Sequence, residues 1–419
     1  MLLSQRTKIR VSDTQANIIG HLCYAAYKLW NVCNYERLHY KEQGLEQFPN
    51  WYYQKKAHKD DLWYKSLPSQ TAQEVCKMLD KAWKSYFTLI KTGGIENPHP
   101  PRYKHEPVCI TYMQNGIAHE PGDITIRFTL PAGLKKFMNT EYGINDNWLY
   151  LENKLFRTYD TIKQIKLYPP MDGECEIIVI YEIPDVNLLT DNAKYLSIDL
   201  GLHNPMTCYS NIGNGESFIV GRKYMSICTA FNKEIARVQS VWDKYQAGYG
   251  VKCPKISKHI QGLYEKKRNS INDYLHKCTR AIVNYCVEHD IHTVILGDIT
   301  NIRKNNKLGK VVNQQMHSLP YAKIRIMLQY KLALSGIRLV LQEESYTSQC
   351  SPYADEVSSE HAGKSNRKHR GLYIDRGYVF NADAVGAYNI LRKHIKNTGK
   401  VITLPISGIC STRLLKVAV

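Results

Sequence analysis

The chain opens on alternation: in MLLSQRTKIRVS, residues 1–12, apolar and polar positions take turns, as in a strand carrying basic side chains. From Asn17 the period lengthens. Ile18, Leu22, Ala25, Ala26, Leu29, Val32 and Cys33 recur at helical spacing, with Lys28, Arg37 and His39 off the stripe. A second amphipathic helix runs through LPSQTAQEVCKMLDKAWKSYFTLIK. It is capped around Pro68 and Ser69, has Val75, Leu79, Ala82 and Phe87 as its core face, and stops at Gly93 and Gly94. The proline-rich, basic stretch PHPPRYKHEP then breaks any helix.

Between about 106 and 190 the runs shorten and alternate again (ITIRFTL, WLYLEN, CEIIVIYEI), which predicts a small antiparallel sheet or barrel. The first strand is expected to join it, leaving the helices of 15–105 as an insertion. The C-terminal half has a different rhythm. KYLSIDLGL, HTVILGD and IRLVLQEES read as strands, and residues 257–290 and YAKIRIMLQYKLALSG as helices. Such alternation implies a mostly parallel sheet with ligands at the carboxyl ends of its strands. The fold class is therefore α+β and multidomain, with a first barrel strand at 1–14, a helical insertion at 15–105, the rest of the barrel at 106–190 and an α/β domain at 191–419.

A length of 419 residues favours several domains over one core. Lys and Arg number 56 against 38 Asp and Glu, a formal charge of +18, and a field of that sign attracts polyanions. The 30 tyrosines against 8 phenylalanines fit the same partner, since a Tyr ring stacks on a base while its hydroxyl bonds phosphate, although core packing accounts for many such rings. The 12 cysteines include no C-x-x-C, no signal peptide opens the chain, and no apolar run approaches ~20 residues. The expectation is a cytosolic protein with reduced thiols and no membrane partner.

The acids then give the basic chain a chemistry. Asp199 follows the apolar run Tyr195–Ile198, Asp298 ends VILGD, Glu343 and Glu344 end IRLVLQEES, and Asp383 opens ADAVGAYNILRK. Each has an ordinary reading: Asp383 as a helix cap with Asn381 as its rival, Asp298 as a turn residue, the two glutamates as a solvated pair. Together they suit an RNase H-like nuclease core, where carboxylates hold two hard cations that activate water and stabilise the leaving oxygen.

SIDLGL at 197–202, YTSQC at 346–350, RGLY at 370–373 and NADAVGAYNI at 381–390 resemble, in order, the TnpB family, transposon-encoded relatives of the type V CRISPR effectors. NDYLHKCTRAIV, GDITNIR and HSLPYAKI extend the likeness over most of 194–393, and AWKSYF and PPRYK extend it weakly toward the N-terminus. The resemblance implies an RNA-guided DNA endonuclease with a wedge-like N-terminal barrel, an inserted recognition domain and a RuvC nuclease domain. Its cofactor would be Mg2+, in a two-metal site, held by Asp199 and Asp383. Its partners would be a guide RNA, from a transposon end or a CRISPR array, and double-stranded target DNA with a short adjacent motif.

Two departures stand out. The family's second acid is a Glu whose place here is taken by Gly297. Glu344 on the next strand is the preferred substitute, then Asp298, which alternation turns to the opposite face, then Glu343. The family's four-thiolate zinc site also lacks its ligands: Cys350 is followed by Tyr353 where a second Cys would stand, and Ile374–Gly377 carry none. His361 and His369 do not rebuild it, so no zinc is expected and the segment of about 350–377 is a degenerate zinc-finger-like insert. Lys266, Lys267, Arg268, His276, Lys277 and Arg280 form either a solvated helix face or a track for a nucleic-acid strand, and Lys304, Lys307 and Lys310 allow the same two readings. Arg102 and Lys104 are candidates for holding guide RNA. The rivals are an RNA-guided DNA-binding repressor whose nuclease has decayed, a type V CRISPR-like effector using a CRISPR RNA, and a protein-only transposase or nuclease.

Overall fold

A computed structural model describes residues 1–120, 122–154, 161–251, 256–299, 319–367 and 371–418. Lys304, Lys307, Lys310, His369 and Arg370 lie outside the described residues. The chain divides into two compact units, Met1–Pro184 and Asp185–Val419. Among the described residues no helix is long and apolar enough to cross a membrane.

In the first unit β1 (Leu2–Arg10) leads to α1 (Asp13–Leu38) through a capping box, in which Ser12 and Gln15 bond each other's backbone N–H. The short helices α2 (Trp51–Ala57) and α3 (Leu62–Lys65) precede α4 (Ser69–Thr92). Pro68 takes the cap position of α4 without a side-chain bond. Of the expected core stripe of α4, Val75 and Leu79 are buried, but Phe87 is exposed and meets the rings of Phe48 and Trp83 at the surface.

The remaining strands are β2 (Ile110–Met113), β3 (Ile117–Ala118), β4 (Thr125–Thr129), β5 (Trp148–Glu152), β6 (Ile162–Leu167) and β7 (Glu174–Glu182), with the unanticipated α5 (Ala132–Tyr142) between β4 and β5. β1 pairs antiparallel with β7 along its whole length, from Leu2 opposite Glu182 to Arg10 opposite Glu174. Hydrogen bonding divides these strands into two ladders, β1-β7-β6-β2 and β3-β4-β5. One apolar core joins Ile165, Ile177 and Val179 of the first sheet to Leu22 and Leu29 of α1.

The second unit holds β8 (Tyr195–Asp199), β9 (Met206–Ser210), β10 (Glu216–Val220), α6 (Tyr224–Gly248), α7 (Lys258–Glu288) and β11 (Thr293–Asp298). Then come α8 (Tyr321–Ala333), β12 (Arg338–Glu343), the hairpin β13 (Leu372–Asp375) and β14 (Tyr378–Asn381), α9 (Ala382–Asn397) and β15 (Thr412–Leu414). The main sheet runs β12-β11-β8-β9-β10-β15. β12, β11 and β8 are parallel, whereas β8, β9 and β10 are joined antiparallel. The expected mostly parallel sheet is thus mixed, because short turns rather than helical crossovers connect β8 through β10.

The two faces of the sheet have different partners. Leu196, Ile198, Val294 and Leu296 pack toward α6, α7 and α8, while Tyr195 and Ile295 pack with Ala384, Ala387 and Leu391 of α9. Strand alternation therefore sends residue 199 of β8 and residue 297 of β11 toward the α9 side.

Candidate active site

Asp199 is the last residue of a strand whose other members are all buried. Two residues earlier on the same face, the Ser197 hydroxyl donates to the Ala387 carbonyl at 2.7 Å, which locks α9 over the strand. A side chain at Gly386 would put its Cβ 2.8 Å from Asp199 Oδ2, so the absent side chain is what lets the helix lie this close to the carboxylate. One turn earlier on α9 stands Asp383. Asn381 is the cap: its Oδ1 accepts from the backbone N–H of Asp383 at 3.0 Å and of Ala384 at 3.1 Å. With the capping role taken, the Asp383 carboxylate is free to face the cleft. Asn204 Nδ2 donates to its Oδ2 at 2.8 Å, and Arg367 stands 3.6 Å from Oδ1.

Gly297 and Glu344 meet across two neighbouring strands. A Cβ on Gly297 would fall 1.6 Å from Glu344 Oε1 and 2.5 Å from Glu344 Cδ, so the Glu344 carboxyl fills the space that a residue-297 side chain would enter. Glu344 follows directly on β12, the parallel neighbour of β11, and so reaches the vacated face from the adjoining strand. Its Oε1 is buried and has no hydrogen-bond partner among the described residues. Asp298 sits opposite Glu343 in the ladder and lines the same cleft from the strand end. Glu343 is turned to other work: it pairs with Lys393 and accepts from the Ser345 backbone at 2.6 Å.

These acids surround a cleft of about 1060 Å³, lined among others by Asp199, Asp298, Glu344, Arg367 and Asp383. The electrostatics follow from burial and like charge. Burial, then Asp383, push the Asp199 carboxyl up to about 7, partly offset by Arg367. Burial, then Asp199, Asp298 and Glu343, push Glu344 up to about 9. Near neutral pH such a group holds its proton until a cation compensates the charge.

Among the described residues, no three His, Cys, Asp or Glu side chains are grouped closely enough to hold one ion as they are placed. For Asp199, Glu344 and Asp383 to hold one together, their carboxylates would have to draw closer. The donor set nonetheless fits a hard divalent cation such as magnesium: it is all carboxylate oxygen, and one buried oxygen lacks a partner.

The insert after Cys350 is organised by α9. Cys350 is buried and its thiol donates to the Ser358 carbonyl at 3.1 Å. Asn389 donates to the carbonyls of Thr347 at 2.8 Å and Cys350 at 2.9 Å, and Arg392 donates to Ser351 at 3.1 Å and to Ala354. The basic candidates divide. On α7, Lys267 donates to Asn232 at 2.6 Å, Arg268 stands 3.6 Å from Glu265, and Lys277 pairs with Asp273 at 2.7 Å. Lys266 and Arg280 are exposed. Arg102 and Lys104 are exposed in the first unit, where Trp30 donates to the Arg102 carbonyl and the Lys104 ammonium lies 4.7 Å from the Trp30 ring centre.

Sequence reading missed Asn204, Arg367 and Gly386. The two polar residues come from loops with no periodicity, and the glycine matters only because of what packs on it.

Residues 178–303 match the OrfB_IS605 family model, described as a probable transposase, and residues 321–390 match the Cas12f1-like TNB domain. A curated relative, the CRISPR-associated endodeoxyribonuclease Cas12f1 of Sulfoacidibacillus thermotolerans, is 29% identical over 236 residues, 54% of this chain and 50% of that protein. The chain thus spans about half the length of the curated relative it matches. Among solved structures, the Cas12f1–sgRNA–target DNA complex is similar at a TM-score of 0.56 and 14% identity, over 90% of this chain and 83% of that one. That likeness shows the fold, a mixed α/β, multidomain one.

Proposed function

From the premise that the chain is TnpB-like, we propose that it is an RNA-guided DNA endonuclease whose second unit is a RuvC-type nuclease. Asp199, Glu344 and Asp383 are its metal-binding acids. The observation that carries this reading is the Glu344 carboxyl standing in the space beside Gly297, on the same face as Asp199 and beneath the helix that bears Asp383. A decayed site has no reason to keep a buried carboxyl oxygen without a partner among the described residues, on a group that feels the charge of Asp199. The Cas12f1 relative is by name an endodeoxyribonuclease, and the similar solved complex holds an sgRNA and a target DNA, which supports the same substrate and partner here.

Bound magnesium would supply a Lewis acid and an activated water for phosphodiester hydrolysis. The chain's own residues do the rest. Asn204 and the Asn381 cap orient Asp383, and the Gly386 gap keeps Asp199 in reach of it. Arg367, at the same cleft, is placed to hold a phosphate oxygen of the strand. In the N-terminal unit, the four-stranded sheet and helices form the wedge-like barrel and recognition insertion, with Arg102 and Lys104 on the guide side. In the second unit, the basic face of α7, including Lys266, Lys267, Arg268, Lys277 and Arg280, tracks nucleic acid.

The test is to purify the protein with its native locus, sequence the bound RNA and assay magnesium-dependent cleavage of matching DNA. Asp199→Ala and Glu344→Ala should each abolish cleavage and keep RNA-dependent DNA binding, and Asp298→Ala should be milder. If Asp298→Ala kills cleavage and Glu344→Ala does not, the acid assignment fails. RNA-dependent binding with no cleavage by the wild type would instead establish the repressor reading that Gly297 favours.

A further inference from the structure

Along their common packing face, α7 and α8 leave an open groove of about 470 Å³, lined by His276, Lys277, Arg280, Asn284, Tyr330 and Lys331. None of these residues lines the acidic cleft. The groove wall contains cations and neutral donors and no carboxylate; Asp273, just outside it, is engaged by Lys277 at 2.7 Å.

Lys331 is the unusual member. It is 4% exposed, and its ammonium donates to the His276 carbonyl and to Thr279 Oγ1, each at 2.7 Å, with no carboxylate paired to it among the described residues. Its charged neighbour is another cation, Arg280; burial and that repulsion bring the Lys331 ammonium down to about 8. His276 is lowered by burial and by Lys331, Lys323 and Arg280, with Asp273 opposing. Helix packing does not explain the charge. The Thr279 hydroxyl already donates to the Leu275 carbonyl at 2.8 Å, so a Met at 331 would fill the same volume and orphan nothing. A buried cation facing a second cation is a cost unless an anion joins them.

We propose that this groove binds a phosphodiester of a nucleic-acid strand, gripped between Arg280 and Lys331 with the Asn284 amide and the Tyr330 hydroxyl as neutral donors. Every group there that meets a phosphate oxygen has a proton to donate. A strand rather than a small phosphate is favoured because the groove is open and Lys266 and Arg268 stand exposed on the same helix. The proposal rests on the reading of α7 as a nucleic-acid track and adds to it a buried contact from α8, Lys331; binding here requires no cleavage.

The test uses the full chain in EDTA, with fluorescein-labelled single-stranded RNA and DNA of one sequence as probes, titrated by anisotropy across a salt series. Lys331→Met and Arg280→Gln should each weaken binding several-fold and flatten the log–log salt dependence by ~0.7, the loss of one phosphate contact on a single strand. Lys331→Met should also melt no lower than wild type. A loss confined to one probe assigns the groove to that nucleic acid. Unchanged affinity and slope in both variants overturn the proposal, as does a response to inorganic phosphate in thermal shift with no change toward either oligonucleotide. Should Lys331→Met fail to fold, the exposed Arg280→Gln decides. EDTA excludes magnesium-dependent cleavage, so failure here and failure of the nuclease reading are separate results.

Discussion

Two clusters of buried charge in this molecule are treated in opposite ways. In the helical part of the first unit, Arg37 donates to Asp80 at 3.1 Å and to Gln54 at 2.9 Å. Gln54 in turn donates to Glu36 and to the Cys33 carbonyl, both at 2.7 Å, and His58 bridges Glu36 and Asp61. Each charge there has an opposite charge or an amide against it. In the acidic cleft, Asp199 and Glu344 have other carboxylates as their charged neighbours, and one oxygen of Glu344 has no hydrogen-bond partner among the described residues. The first cluster is complete in the free protein and holds helices together. The second would be completed by a cation, and that imbalance is the ground on which it is proposed as a metal site.

The comparison can be broken by mutation. Asp80→Ala leaves Arg37 buried without its anion and should cost ~3–5 kcal/mol in denaturant unfolding; a loss below 1 kcal/mol would mean the first cluster is not structural. A pH series comes next in size. Burial works against a charged His58, but Glu36 and Asp61 overcome it and raise it from 6.5 to about 9. The folded state thus binds the proton more tightly. This stabilisation should be full below about pH 6.5 and fade as pH rises through 9, by ~3 kcal/mol, with His58→Gln removing that slope. A mutation of opposite effect is expected in the cleft: Glu344→Gln removes the cost of burying an acid among carboxylates, which the wild type meets by taking up a proton, and should raise stability in EDTA by ~1 kcal/mol while abolishing cleavage. A fall in stability would say that the carboxylate is structural after all. Smallest in stability is Gly297→Ala, under ~1 kcal/mol because the Glu344 side chain can swing. It should displace that carboxyl and weaken divalent-ion binding, read by titrating terbium luminescence. An unchanged terbium affinity would remove Gly297 from any positioning role.

Much of this was legible before the structure. The stripe of α1, the length of α7 and the three parallel strands follow from periodicity, because each buries one defined face. The segment from Met206 to Gly248 was not read, although MTCYS and ESFIV around NIGNG carry a hairpin signal; an expectation of helical crossovers obscured it. In the site, Asp199 and Asp383 announce themselves as acids beside apolar runs. The role of Asn381 as the cap needed coordinates, since either residue satisfies the capping rule. The match between Gly297 and Glu344 needed them too, because it depends on side-chain reach across two strands rather than on either residue's neighbours.

Finally, α9 is held at two places by the same insert. Arg367 meets Asp383 in its first turn, and Arg392 in its last half grips the Ser351 and Ala354 carbonyls. The helix therefore works as a ruler. One residue added or removed between Asp383 and Arg392 would turn the two ends by ~100° relative to each other, so that no rotation of the helix could satisfy both grips at once. The stretch between them should tolerate changes of residue type far better than changes of length.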